Sequence, residues 1–99
     1  MKPKCCQNSQ KEEEIARIAE ILKLLAEENR LKIICILKSG EHCACKIIEH
    51  LGLPQNLVSH HLKKLKMAEL IQGKKNGTWI HYSLTNKGKK VARNVFKIN

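Results

Sequence analysis

The chain has 99 residues, enough for one domain and one core, and with apolar residues at 42% but aromatic residues at only 3% that core must be aliphatic and modest, so a covering partner would help it. No apolar run exceeds Ile33 to Leu37, far below the roughly 20 residues that span a bilayer, and the basic opening Met1-Lys2-Pro3-Lys4-Cys5-Cys6 has no apolar segment behind it, so no membrane partner and a cytoplasmic location are expected. The formal net charge of +10 is one-sided, because residues 54–99 hold ten Lys/Arg against the single acid Glu69 while residues 1–53 hold nine against eight, the footprint of a polyanion binder.

In chain order, residues 1–10 are polar and aperiodic and read as a flexible tail carrying Cys5 and Cys6; residues 11–99 read as the folded domain. Ile15, Ile18, Ala19, Leu22, Leu25 and Ala26 follow the i, i+3, i+4, i+7 rule, which predicts an amphipathic helix from Glu12 to Glu28 with Glu12, Glu13 and Glu14 in its favoured first turn. This stripe is expected to face the core, leaving Ile21 and Leu24 for a partner subunit. Asn29 is a candidate cap for a second helix, Arg30 to Lys38, apolar nearly all round and therefore central. Ser39-Gly40 ends it.

A short helix from about Ala44 to Leu51 is closed by Gly52, and Pro54 suits the first turn of another running to about Ala68. Helix, tight turn, helix is the helix-turn-helix pattern. The period then changes to two. Thr78, Ile80, Tyr82 and Leu84 alternate with Trp79, His81 and Ser83, and a shorter strand from Leu70 to Lys74 precedes them across Lys75-Asn76-Gly77, where Asn-Gly signals a hairpin. A basic helix near Lys87 to Lys97, with Val91, Val95 and Phe96 on one side, closes a mostly α chain with a β-hairpin wing.

On a helical wheel from Pro54, Val58, Leu62 and Leu65 form the buried stripe, with His61 at its boundary. The opposite pole carries Asn56, His60 and Lys63, flanked by Gln55, Ser59 and Lys64. Short polar groups suit base edges, and Lys64 and Lys66 suit phosphates. Lys74, Lys75 and Asn76 fall at the hairpin tip. A solvated face is the bland reading of the same wheel; the helix-turn-helix spacing, the basic hairpin and the charge asymmetry favour double-stranded DNA. Cys-x-x-Cys, a glycine-rich phosphate loop and a paired acid and base are all missing, so no enzyme is expected.

Leu24 to Leu31, Glu41-His42-Cys43-Ala44-Cys45, Leu51-Gly52-Leu53, Val58-Ser59-His60-His61-Leu62-Lys63-Lys64-Leu65 and Thr78 to Leu84 together resemble the arsenical-resistance/metallothionein repressor (ArsR/SmtB) family of metal-responsive regulators. The likeness runs from about Leu22 to Leu84. It implies a winged helix-turn-helix homodimer that represses while bound to operator DNA and is released by an effector, with DNA contacts on Ser59 and His60. Pro54 and Asn56 depart from the residues common in the family, so no operator sequence carries over.

Cys43 and Cys45 fall where the family's thiolate sensors place a cysteine-x-cysteine pair. On a regular helix residues i and i+2 point about 200° apart, so both thiols can face one ion only if that first turn is unwound. As(III) and Sb(III) take three sulfurs and Cd(II) or Pb(II) three or four. The third cysteine of one branch is replaced by Ile48, whereas recruitment of tail cysteines by another branch fits Cys5 and Cys6. His42 and His50 could complete a harder zinc site. Plain packing remains open for Cys43 and Cys45, as does an idle tail for Cys5 and Cys6, and Cys35 is expected to be a buried small hydrophobe. The alternative on the same fold is a cysteine redox or persulfide switch. No organic cofactor is expected, and the family's zinc site on the last helix is excluded because no His or acid occurs after Thr85.

Overall fold

The computed structural model of the protein describes residues 9–98. Its elements run α1 (Ser9–Leu25), α2 (Glu28–Lys38), β1 (His42–Cys43), α3 (Ala44–Leu51), α4 (Gln55–Met67), β2 (Ile71–Asn76), β3 (Trp79–Leu84) and α5 (Asn86–Val95). The fold is a mostly helical winged helix-turn-helix: α3 and α4 form the helix pair, and β2 and β3 form the wing.

α2 is the hub, packing on α1, α3, α4, α5 and β3. Ile33, Ile34 and Leu37 are all buried and meet Leu25, Ile47, Val58, Leu62, Leu65, Leu70, Ile71, Leu84 and Ala92 in an aliphatic cluster, with Tyr82 packed against it. Glu27, not Asn29, caps this helix. Its extended backbone lets the carboxylate accept the Arg30 N–H at 3.2 Å, while the Asn29 side chain donates to that carboxylate at 3.4 Å. A charged acceptor also suits the positive end of the helix dipole.

Gly52 closes α3 in the left-handed region at φ 63°, donating its N–H to Ile48 O at 2.9 Å, which turns the chain sharply enough to start α4 two residues after Leu53. Pro54 sits one residue ahead of its expected place, as the N-cap. The three-stranded antiparallel sheet has the order β1-β3-β2. β2 extends two residues past Lys74, so Asn76 pairs with Trp79 and the loop is Gly77-Thr78, one position beyond Asn-Gly. Gly77 supplies the positive φ of 68° that this hairpin needs. β1 was not legible as a strand, since two residues are too few for an alternation. It pairs His42 with Tyr82 and Cys43 with His81.

α1 reverses its expected orientation. Leu25 is buried and Ile21 and Leu24 pack on the core, whereas Ile15, Ile18 and Leu22 are exposed. The molecule measures 52 × 24 × 23 Å, elongated for its size because only one end of α1 rests on α2. Beside the exposed stripe, α1 and α5 enclose a groove of about 500 Å3 with Ile18, Ile21, Leu22, Val91 and Val95 on its walls.

Candidate nucleic-acid interface and thiol pair

Burial divides α4 along the predicted line. Val58, His61, Leu62 and Leu65 are buried, and Gln55, Asn56, Ser59, His60, Lys63 and Lys64 are exposed. The buried four anchor the helix against α2, α3 and β2, leaving a polar face to solvent. Lys74 and Lys75 are exposed on the wing, where Trp79 and Ile80 are also open to solvent. Burial in β3 does not alternate but rises along the strand, from exposed Trp79 and Ile80 through half-buried His81, Tyr82 and Ser83 to buried Leu84, because the hairpin outruns the core.

Charge pairing sharpens the asymmetry. Lys11, Lys23, Lys32 and Lys46 each lie within 3.4–3.8 Å of a carboxylate on the same helix. Among the described residues no such pair involves Lys63, Lys64, Lys74 or Lys75. Their charges are uncompensated where α4 and the wing meet solvent, so that surface attracts a polyanion.

His61 is the polar side chain in this core, 5% exposed. Arg30 Nε donates to its Nδ1 at 3.2 Å, and Glu27 Oε2 lies 3.5 Å from its Nε2. Arg30 Nη1 also donates to Leu24 O at 3.1 Å. Burial lowers the His61 pKa below its ordinary value; Glu27 opposes this, while Arg30 and His60 add to it. The wheel placed His61 at the boundary but carried no signal for its partners, which come from a distant helix.

Cys43 and Cys45 are brought together. Cys43 is the N-cap of α3, with extended backbone at φ −63° and ψ 143°, and Cys45 stands in the first turn. The opposed directions of a regular helix therefore do not apply. The two Cα atoms are 5.3 Å apart, the sulfurs adjoin, and the Cys45 N–H donates to Cys43 Sγ at 3.3 Å. Through β1, Cys43 shares the sheet ladder with His81, whose Nδ1 lies 3.9 Å from Glu41 Oε2. The His42 and His50 rings stand edge to face, 6.2 Å between centroids, with His42 Nδ1 at 2.8 Å from Gly40 O. Among the described residues no group of three or more His, Cys, Asp or Glu side chains is close enough to hold an ion. Cys5 and Cys6 lie outside the described residues, as does most of the expected tail. Cys35 is exposed, contrary to expectation. It shares a stripe of α2 with Lys32 and Lys38, three residues to either side, and all three are open to solvent.

Residues 27–72, from the cap of α2 into β2, match the family described as bacterial regulatory protein, arsR family. An HTH-type transcriptional regulator of Methanocaldococcus jannaschii is 40% identical over 75% of this chain and 84% of its own length. The chain belongs to the ArsR family. It is also 41% identical to the arsenical resistance operon repressor of Staphylococcus xylosus, over 70% of this chain and 66% of that repressor. Among solved structures it is similar to reduced HlyU from Vibrio cholerae, with a TM-score of 0.82 and 26% identity over 92% of this chain and 97% of the other. A second likeness is to the homodimeric winged helix-turn-helix DNA-binding domain of Mb0332 from Mycobacterium bovis, with a TM-score of 0.78 and 28% identity over 93% and 83% of the two chains. ArsR-family membership makes this chain a DNA-binding transcriptional regulator, and no helix of its described residues is long and apolar enough to cross a membrane.

Proposed function

We propose that this ArsR-family regulator is a cytoplasmic homodimeric repressor that holds double-stranded operator DNA and lets go when a thiophilic ion, As(III)/Sb(III) or Cd(II)/Pb(II), is captured by its thiolates. Gln55, Asn56, Ser59 and His60 face base edges and phosphates in the major groove, and Lys63, Lys64, Lys74 and Lys75 neutralise phosphates. The second copy covers Ile15, Ile18 and Leu22; the homodimeric Mycobacterium bovis domain supports this assembly.

The observation that carries the sensing half is the cap position of Cys43, which turns two thiols toward one point. Two sulfurs are part of the three or four that a soft ion takes, and Cys5, Cys6 or both, from the 1–10 tail, supply the rest. A bound ion supplies one centre that draws these sulfurs inward. Cys43 is at once the cap of α3 and a ladder partner of β3, so its displacement acts on the helix pair and the wing together. The name of the staphylococcal relative supports an arsenical effector.

The test is a titration of reduced protein, bound to the duplex upstream of its own gene, with As(III), Cd(II), Zn(II) and a polysulfide in turn. Thiolate-to-metal absorption and DNA release are both expected with a soft ion, and both are expected to vanish in Cys43→Ser. Undiminished release in that variant overturns the assignment. Adjoining sulfurs with no third described donor also favour a second reading, a dithiol switch. In that case polysulfide or oxidant alone lowers DNA affinity, and mass spectrometry finds Cys43 and Cys45 linked.

A further inference from the structure

We propose that His61 is the positioning residue that seats α4 on α2 for DNA reading, and that only its neutral form does so. The proposal rests on the reading of α4 as the DNA-contacting helix. His61 belongs to α4 but points away from the exposed face, and it is the buried polar side chain of the described core. Both of its ring nitrogens are engaged by residues at the start of α2. Arg30 Nε is always a donor, so Nδ1 must offer its lone pair and the ring proton sits on Nε2, toward Glu27.

The same two partners have other duties. Glu27 caps α2 through the Arg30 N–H, and Arg30 holds the last turn of α1 through Leu24 O. His61 therefore ties α4 to the corner where α1 meets α2. Its chain neighbour His60 lies on the exposed face, with ring centroids 5.7 Å apart. A shift of His61 carries His60 and Ser59 with it.

A second proton on His61 would go to Nδ1. That places an N–H against the Arg30 guanidinium, where an acceptor stood, and sets two cations in contact. The charged or titratable groups facing the ring are Glu27 and Arg30 from α2 and its cap, and His60 from α4. Glu27 alone favours the proton, and it is already engaged by Arg30 N–H and Asn29. Protonation thus breaks the contact that seats α4. DNA then binds only the neutral fraction, and affinity falls by up to about tenfold per pH unit below the His61 pKa of the free protein.

The test compares wild type, His61→Gln and His61→Leu by fluorescence anisotropy on the upstream duplex, at constant salt from pH 5.5 to 8, with circular dichroism melts of each protein. Gln offers an acceptor to Arg30 and a donor to Glu27 but does not titrate. It is expected to bind like wild type at pH 8 and to lack the acid decline, so that the wild-type to Gln affinity ratio falls as pH drops. His61→Leu keeps the volume without the bonds and is expected to bind about threefold to thirtyfold more weakly at pH 8 while folded. Parallel wild-type and Gln profiles overturn the proposal, and so does a folded Leu variant of undiminished affinity. Should the Leu variant not fold, the Gln profile still decides. Wild type that binds no duplex at any pH defeats instead the reading of α4 as the DNA face.

Discussion

Replacing Lys74 and Lys75 by alanine tests whether the uncompensated wing charges touch phosphate. Four lysines per protomer, Lys63, Lys64, Lys74 and Lys75, are exposed and free of carboxylate partners among the described residues. Each phosphate they neutralise releases condensed counterions, which lowers the slope of log K against log salt by about 0.9. Eight such contacts in a dimer give a slope of about −7, and a loss of about 10⁴-fold in affinity between roughly 50 and 200 mM salt. The double alanine variant removes four contacts, so its slope falls to about −3.6 and its loss over the same range to about 10²-fold. Fluorescence anisotropy across a salt series reads both numbers directly. Neither lysine packs in the core, so the melting temperature is expected to stay put. A variant with the wild-type slope would refute the wing contact, even if its affinity at one salt concentration were lower.

Gly88→Ala is expected to destabilise the fold, because a Cβ there would overlap the Leu70 carbonyl oxygen and approach its carbon to 2.9 Å. Overpacking of this kind costs about 2 kcal/mol, so the melting temperature should drop by about 10 °C; an unchanged melt would show that α5 is free to move away. Ile18→Ser with Leu22→Ser should leave the protomer folded but weaken self-association by about 10³-fold, since four half-exposed side chains per dimer each contribute about 1 kcal/mol. Sedimentation velocity checks this, and a variant that remains dimeric would remove α1 from the interface. Finally, His61 is held neutral, its pKa below the ordinary 6.5, so the unfolded chain takes up its proton first as pH falls. The stability due to His61 is full above pH 6.5 and declines below it, and thermal melts of His61→Gln should lack that part of the acid loss.

The helix-turn-helix and the wing were legible because each rests on local periodicity and turn chemistry: three and four residue spacing in α4, alternation in β3, Gly52 and Gly77 at the turns. Failures came where the deciding partner is remote or outside the chain. The wheel of α1 offers two apolar stripes, and nothing local says which meets α2, so Ile15, Ile18 and Leu22 were assigned to the core and proved exposed. Cys35 was misjudged from the apolar character of α2 as a whole, although Lys32 and Lys38 on the same stripe marked an open side. The cap of α2 moved from Asn29 to Glu27 because the capping residue is chosen by its extended backbone. The sequence said that Cys43 and Cys45 could meet only off the regular helix; it could not show that a two-residue strand against His81 holds Cys43 there.

The most direct measurement is the affinity of an Asn56, Ser59, His60 and Lys63 alanine variant for the upstream duplex, beside its affinity for an unrelated duplex at the same salt. All four side chains are exposed on α4, so the variant should fold and melt like the parent. Preference for the upstream duplex, about 10³-fold or more in the parent, is expected to collapse toward the level of unrelated DNA. Retention of that preference would contradict the reading of α4 as the DNA face, because some other surface would then be reading the sequence.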